Sequence, residues 1–188
     1  MSGHSKWATT KHQKAATDAA RSRAFSRLAR LITVESKKAG GSLSDPSLAA
    51  AIARAKAANM PKDNIERAIA KGASKDSAAL EQVVYEAYGP AGVAIIIDAL
   101  TDNKNRTTPE IKHLFSKLGF EVAAPGAASW AFTKTGMKFI PNEPLTDIAG
   151  DDEEKLQAIL DTLDEHEDVQ AVFTNARGYE SADTDDDA

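Results

Sequence analysis

Hydrophobic residues in the first part of the chain recur with the spacing of an α-helix. Between about residues 14 and 38 the apolar positions follow an i, i+3, i+4, i+7 pattern, which places them on one stripe. These positions are Phe25, Leu28, Ala29 and Ile32. At about 100° per residue, the opposite side of the helix carries Arg23, Arg27, Arg30 and Lys37. The pattern predicts a helix with one buried face and one basic face.

Turn and capping residues divide the rest of this segment into two further helices. Gly40 and Gly41 end the first helix, and Asp45 followed by Pro46 is a favourable start for the second. A break at residues 59–61 separates the second from the third, and Gly72 occupies a position where a C′ glycine is expected. The buried stripes of these helices are Leu48, Ala51, Ile52 and Ala55, and then Ile65, Ala68 and Ile69. We predict a small antiparallel helical unit with a basic outside.

The pattern changes after a polar linker at residues 73–80. Alternating and continuous apolar runs predict strands, and residues 101–107 form a polar loop before a helix that starts near Thr108. The predicted strands are Glu81–Tyr88, 92–101, 120–123, 128–133, a weaker one at 137–140, and Val169–Thr174, with a second helix at 152–165. This order predicts an α+β fold, a ferredoxin-like α/β sandwich with two helices on one face of an antiparallel sheet.

Charge is distributed unevenly along the chain. The formal net charge is −5, but residues 1–75 hold 15 Lys and Arg against 5 Asp and Glu, whereas residues 76–188 hold 8 against 23. A basic segment beside an acidic one indicates that the basic part meets a polyanion. Charge alone is equally compatible with two solvated faces of a highly charged protein.

Composition argues against several classes of site and location. Cysteine is absent, which excludes disulfides, Cys-ligated metals and thiol nucleophiles and is typical of the cytoplasm, where we expect the protein. The longest apolar run, residues 93–97, is far shorter than the roughly 20 residues that span a bilayer. No phosphate-binding loop or H-E-x-x-H motif occurs. We therefore predict no enzyme activity, no cofactor, no metal, no membrane partner and no small-molecule substrate.

The first residues of the chain form a basic arm with one aromatic side chain. Lys6, Lys11 and Lys14 suit phosphate groups, and Trp7 suits either stacking on an unpaired base or anchoring the arm to the helical core. His12 lacks the neighbouring carboxylates or cysteines of a good metal site. We assign these five residues to a nucleic-acid contact.

Two other basic features have a structural interpretation beside the functional one. A row of arginines on the first helix is usually a solvated face, but the first 44 residues contain only Asp18 and Glu35 as acids, which favours binding. The loop at 101–107 combines amides with cations that can read bases or RNA backbone. Turn and N-cap chemistry explains the same residues equally well.

Several long motifs in the chain resemble the YebC/PmpR family. They are GHSKW at 3–7, KH at 11–12, KAANMPKDNIERAI at 56–69, YEAYGP at 85–90, TDNKNRT at 101–107 and DVQ at 168–170. The resemblance implies an N-terminal helical domain followed by two α/β domains. Family members are described as DNA-binding transcriptional regulators, whereas others, including the mitochondrial translational activator of cytochrome c oxidase, act on the ribosome or mRNA.

The chain departs from the family pattern in two ways. Residues 130–136 resemble the end of a strand in the second domain and 137–141 resemble the exit from the third, so most of the third domain is expected to be missing. Four positions that are basic in the family are neutral here: Gln13, Ala20, Ser47 and Ala49. We predict a basic helical domain at 1–75, an α/β domain at 76–178 with a third-domain remnant near 134–150, and an acidic disordered tail at 179–188.

These observations predict a non-enzymatic regulator of gene expression. The leading hypothesis is a DNA-binding transcriptional regulator, although no helix-turn-helix is recognisable. The alternative is a ribosome-associated translation factor that binds ribosomal RNA through the same basic surface. The predicted nucleic-acid-binding residues are Lys6, Trp7, Lys11, His12, Lys14, Arg21, Arg23, Arg27, Arg30, Lys56, Lys62, Asn103, Lys104, Asn105 and Arg106.

Overall fold

The first part of the structure is a unit of three helices. The computed structural model of the protein describes residues 18–74, 80–136 and 138–179. The helices are α1 (Asp18–Lys38), α2 (Pro46–Ala57) and α3 (Lys62–Ala73). Asp45 caps α2, because its carboxylate accepts from the backbone N–H groups of Ser47 and Leu48 at 2.9 and 3.0 Å. The predicted helical unit and the predicted start of α2 are therefore present.

The core of this helical unit consists of the apolar stripes of the three helices. Its fully buried members include Ile32, Leu48, Ala55 and Ile65. Gly72 lies inside α3 and not after its end, so the predicted C′ role is wrong. A Cβ atom at Gly72 would lie 2.3 Å from the Thr33 carbonyl oxygen, and the Ser36 hydroxyl donates to the Ile69 carbonyl at 2.7 Å. The glycine is needed because α1 and α3 approach each other too closely for a side chain.

The second part of the structure is built on a four-stranded antiparallel sheet. The remaining elements, in chain order, are β1 (Glu81–Tyr88), β2 (Ala94–Thr101), α4 (Lys104–Lys117), β3 (Val122–Ala123), β4 (Phe132–Thr135), β5 (Lys138–Pro141), α5 (Asp151–Glu165) and β6 (Val169–Thr174). The order of the strands in the sheet is β3–β1–β2–β6. The strands β1 and β2 form a hairpin closed by a short 3-10 turn at Pro90–Gly92. This arrangement confirms the α+β class.

Two helices cover one face of this sheet, and a β-hairpin covers part of the other. Ile95 and Ile97 point to the face that packs against α4 and α5, through Phe115 and Leu160 among others. On the opposite face, Ile96 and its neighbours pack against the hairpin formed by β4 and β5. The two helices therefore share one face of the sheet, as predicted.

Two element boundaries differ from the sequence prediction. The segment predicted as a strand at 128–133 begins with a 3-10 turn, Ser129–Ala131, and β4 then pairs with β5 in a separate two-stranded sheet. The helix α4 begins at Lys104 and not near Thr108, because the Asn103 side chain caps it by accepting from the Asn105 N–H at 3.1 Å. Most of the predicted loop at 101–107 is therefore the first turn of a helix.

Candidate nucleic-acid interface

A basic groove runs between α1 and α3. It has a volume of about 700 Å³, and its cations are Arg21, Arg30, Arg67 and Lys71. Phe25 and Met60 contribute apolar surface, and Ser22, Ser26, Thr33 and Asn64 contribute polar groups. Asp102, at the edge, is the one carboxylate among the described residues that line the groove. Arg30 is paired with Asp168 and Glu167, so the positive potential of this concave surface comes mainly from Arg21, Arg67 and Lys71. Such a surface suits a polyanion.

The helical phase of α3 brings two of these cations together. Arg67 and Lys71 are four residues apart, so both project from the same exposed side of the helix. The guanidinium of Arg67 also donates to the Asp63 carbonyl at 3.2 Å and to the Asn64 side chain, which holds it along the helix. The sequence interpretation did not select either residue. The signal was their i, i+4 spacing beside the buried position Ala68.

The sequence predicted that the arginine row of α1 lies on an open basic face, but the structure covers it. Arg27 donates to the Asp164 carboxylate at 2.7 Å and to its backbone carbonyl, and its side chain is only 14% exposed. Arg30 donates to Asp168 and, at 3.2 Å, to the Leu100 carbonyl. The row does point away from the apolar stripe, but the acidic end of the α/β unit covers it. Arg23 is partly buried as well.

Asp168 is the centre of these contacts. Its carboxylate is buried, with 2% of the side chain exposed, and it accepts from Arg30, from Arg106 at 2.8 Å and from the Thr107 hydroxyl at 2.6 Å. Burial raises the pKa of this carboxyl, but the three hydrogen bonds and the charge of Arg30 lower it by more than burial raises it. The resulting pKa is about 2, below the ordinary 3.8. Asp168 therefore joins α1, α4 and the start of β6.

The predicted residues near the start of α4 are divided between internal and exposed roles. Asn103 caps the helix, and Arg106 bonds Asp168 while also pairing with Asp102 at 3.2 Å. Those pairs and the neighbouring carboxylates raise the pKa of Arg106, with the Asp168 hydrogen bond as the largest cause. Lys104 and Asn105 are exposed. N-cap chemistry thus explains Asn103 and ion pairing explains Arg106, while a nucleic-acid contact stays a prediction for all four residues.

The other predicted residues lie away from the groove or outside the described residues. Lys56 is exposed on α2, and Lys62 is exposed on α3, where it pairs with Glu66 at 3.5 Å. Neither lines the basic groove. The predicted arm residues, which lie outside the described residues, are Lys6, Trp7, Lys11, His12 and Lys14. The acidic tail was predicted from residue 179, but Tyr179 is buried and its hydroxyl donates to Glu153 at 2.9 Å, so that boundary is wrong. Residues 180–188 lie outside the described residues.

The described residues contain neither a metal-binding cluster nor a membrane-spanning helix. Within 18–74, 80–136 and 138–179, no group of three or more His, Asp or Glu side chains is arranged to hold a metal ion. None of the helices described in those ranges has the length and apolar character that crossing a bilayer requires.

Comparison with known proteins agrees with the resemblance seen in the motifs. Residues 5–75 match the family described as TACO1/YebC protein N-terminal domain, and residues 80–147 match TACO1/YebC second and third domain. A crystal structure of a conserved hypothetical protein from Aquifex aeolicus superposes with a TM-score of 0.77 at 30% identity, covering 85% of this chain and 91% of that one.

Curated relatives carry the name probable transcriptional regulatory protein. The Petrotoga mobilis protein is 46% identical over 179 residues, which is 93% of this chain and 70% of that protein. The Desulforapulum autotrophicum protein is 49% identical over 145 residues, 76% of this chain and 59% of that protein. The chain thus spans between about three fifths and seven tenths of the length of these two relatives. On these matches, the chain belongs to the TACO1/YebC family.

Proposed function

We propose that this chain is a nucleic-acid-binding regulator of gene expression that holds the phosphates of its target in the basic groove. The observation that carries the proposal is the groove itself, where Arg67 and Lys71 are exposed beside Arg21, and Arg30 lines the same surface while it is paired with Asp168. Cations that neutralise phosphates release condensed counterions, which supplies most of the affinity for a nucleic acid. The proposal includes no catalytic step, because the relatives are named as regulators.

Duplex DNA is the first target to consider. The names of the relatives describe transcriptional regulation, and a cationic groove on two helices can follow a phosphate backbone without reading bases. The basic arm at residues 6–14 would extend this contact. We therefore propose DNA-binding transcriptional regulation as the leading function.

Ribosomal RNA is a second target, and the apolar surface in the groove favours it. Phe25, which is partly buried, lies among the cations, and unpaired bases stack on aromatic rings, whereas bases inside a duplex are not accessible to them. A ribosome-associated translation factor would use the same four cations. The two functions therefore differ in target and share one surface.

The double variant Arg67→Ala and Lys71→Ala tests the groove. Both residues are exposed on one helix that tolerates alanine, so we expect the fold to survive. For duplex DNA, the slope of log affinity against log salt should become shallower by about 2, since each lost phosphate contact removes about 0.9. Fluorescence anisotropy at several salt concentrations measures this slope.

The matched control is Lys112→Ala with Lys117→Ala, which removes the same charge from exposed positions of α4. This control should leave the slope within about 0.5 of the native value. Equal effects of the two pairs would show that net charge, and not the groove, governs binding, and the proposal would fail.

Sedimentation separates DNA from the ribosome as the physiological target. Cell lysate is centrifuged through a sucrose gradient at low and at high salt, while duplex DNA is titrated in parallel. Co-migration with ribosomes that is lost at high salt, together with only weak sequence-independent DNA binding, would contradict the transcriptional function. Tight DNA binding without co-migration would contradict the translational one.

A further inference from the structure

The face of the sheet opposite α4 and α5 is apolar at one end and polar at the other. At the apolar end, Ile96 and Phe173 pack under the β4–β5 hairpin. At the other end, Gln82, Asp98 and Gln170 lie on the three adjacent strands β1, β2 and β6. Asp98 is only 3% exposed and belongs to a strand in which every residue is buried. Burying a carboxylate in such a strand costs free energy, so Asp98 requires partners that offset its desolvation.

The helix α1 covers this polar end without filling the space between them. An interunit cleft of about 400 Å³ separates the polar residues of the sheet from an apolar wall on α1. This wall consists of Leu28, Leu31 and Val34. The cations that line the cleft are Arg27, Lys38, Arg54 and Lys138. Glu35 lines the cleft too and pairs with Lys38 at 2.8 Å, and Arg27 pairs with Asp164 at 2.7 Å. The cleft is therefore polar on one side and apolar on the other, with Lys138 as an exposed cation in its lining.

Two buried donors in this cleft have no hydrogen-bond acceptor among the described residues. They are the side-chain amide nitrogen of Gln170 and Nε of Arg27. The neighbouring amide of Gln82 is satisfied, because it donates to the Asp98 carboxylate at 2.8 Å. An unsatisfied buried donor costs about 1–3 kcal/mol. Both nitrogens are themselves buried, so the Gln170 amide has to turn toward the cleft to donate to a ligand, whereas the Asp98 carboxylate supplies an acceptor in the same lining. A ligand edge that carries both kinds of group matches this pair.

One ligand chemistry fits these three properties together. A nucleobase has a flat apolar face for the leucines of α1 and an edge of donors and acceptors for the polar residues of the sheet. Its attached phosphate requires cations, and Lys138 is exposed, with no carboxylate paired to it in the described part of the chain. A volume of about 400 Å³ is within the range of sites for small ligands. A duplex, whose major groove alone is about 12 Å wide, is too large for it.

We propose that the interunit cleft binds one unpaired nucleotide of a nucleic acid, with the base edge on Asp98 and Gln170 and the phosphate at Lys138. This proposal rests on the proposed function and adds to it a preference for single-stranded segments. The nucleotide comes from RNA or from unpaired DNA, since both offer the same base and phosphate.

Binding of three fluorescent oligonucleotides to the full chain tests the proposal. The probes are a single-stranded DNA, an RNA of the same sequence and the corresponding DNA duplex. Gln170→Leu removes the unsatisfied donor at similar volume, and Lys138→Ala removes the cation. Each should weaken single-strand binding by about fivefold to tenfold, as expected for one lost hydrogen bond or charge contact, and change duplex binding by less than about twofold.

The control variant is Lys155→Ala, which removes an exposed cation of α5 that does not line the cleft. It should leave both affinities within about twofold of the native values. Loss on either single strand with an unchanged duplex supports the proposal and names the source. Unchanged single-strand binding, or equal losses on single strand and duplex, overturns it. If Gln170→Leu does not fold, Lys138→Ala alone decides, because its side chain is exposed.

Two measurements keep this result separate from the proposed function. The groove variant Arg67→Ala with Lys71→Ala should weaken binding to duplex and single strand alike. If this variant binds both with native affinity, the proposed function is contradicted, while the cleft proposal is still decided by the Gln170 and Lys138 variants. Nucleoside monophosphates are then titrated while the side-chain amide resonances of Gln170 are followed by NMR. Saturable shifts support the cleft as a nucleotide site, and their absence for all four nucleotides shows a water-filled gap and overturns the proposal.

Discussion

At the scale of single residues, Asp168 has the most consequential environment among the described side chains. Two arginines from different parts of the chain and one threonine hydroxyl share its carboxylate. A buried carboxylate is tolerated only when it is paired and hydrogen-bonded, and here both conditions are met. Because its charged form is stabilised in the folded state, Asp168 couples the stability of the fold to pH.

The pKa of Asp168 predicts the pH range of this coupling. Its value falls from the ordinary 3.8 to about 2 on folding, so its stabilising contribution is complete above about pH 5 and is lost as the pH falls from about 4 to 2. The shift corresponds to about 2 kcal/mol. In Asp168→Asn this part of the pH dependence should vanish. Urea unfolding at pH 7, 4 and 3 measures it.

The control for this experiment is Glu121→Gln, at an exposed carboxylate. Its free energy of unfolding should follow the native protein within about 0.5 kcal/mol at each pH. A difference between Asp168→Asn and the native protein that does not change with pH would contradict the assignment.

At the scale of elements, the contact between α1 and α3 depends on one missing side chain. Gly72 lies within a helix, where glycine is ordinarily less favourable than alanine by about 1 kcal/mol. Its backbone instead lies against the Thr33 carbonyl and the Ser36 side chain. Glycine at this position lowers the helix propensity of α3 but allows α1 and α3 to pack closely. The basic groove lies between these two helices, so their separation determines its width.

Substitution of Gly72 by alanine should destabilise the fold, although a glycine-to-alanine change inside a helix usually stabilises it. Helix propensity alone predicts a gain in stability, but the new Cβ would be 2.3 Å from the Thr33 oxygen, a backbone atom that cannot yield alone. We expect a loss of about 1–3 kcal/mol, typical of overpacking. Thermal or urea unfolding checks the sign. A more stable Gly72→Ala variant would show that α1 and α3 lie further apart than described.

At the scale of the whole molecule, arginine–carboxylate pairs join the helical unit to the α/β unit. Arg27 bonds Asp164, and Arg30 bonds Asp168 and approaches Glu167 at 3.5 Å. Such pairs determine orientation more than they add stability, since desolvation offsets much of their attraction. The same contacts form the boundary between the basic groove and the interunit cleft, because Arg30 lines the first and Arg27 the second.

Removing these arginines should loosen the docking of the two units. The chain has no cysteine, so Ala53→Cys on α2 and Ser116→Cys on α4 introduce two exposed sites for fluorescent labels. In the labelled chain, Arg27→Ala with Arg30→Ala should broaden the distance distribution seen by single-molecule energy transfer. Arg67→Ala, whose hydrogen bonds run to Asp63 and Asn64 of its own helix, should leave the distribution unchanged. A distribution as narrow as the native one would contradict the role of the pairs.

The sequence by itself determined most of the elements and the class of the fold. The three helices were predictable because apolar spacing and capping at Asp45 act within a few residues. The Ile-rich strand β2 was predictable because a short continuous apolar run suits a strand buried on both faces. The charge difference between the halves also required no structure. These are local properties, and local properties can be seen along one chain.

Only the tertiary structure decided which charged residues meet each other. Helical phase placed the arginines opposite the apolar stripe, but it could not show that Asp164 and Asp168, more than 130 positions later, would cover them. It also could not show that Asp98 lines a cleft. Pairing energy depends on distance and burial, and both are set by how separate elements pack. Of the arginines predicted from the sequence, Arg27 and Arg30 therefore join the two units, while Arg21 lines a groove that is open to a partner. That groove also contains Arg67 and Lys71, which the sequence did not predict.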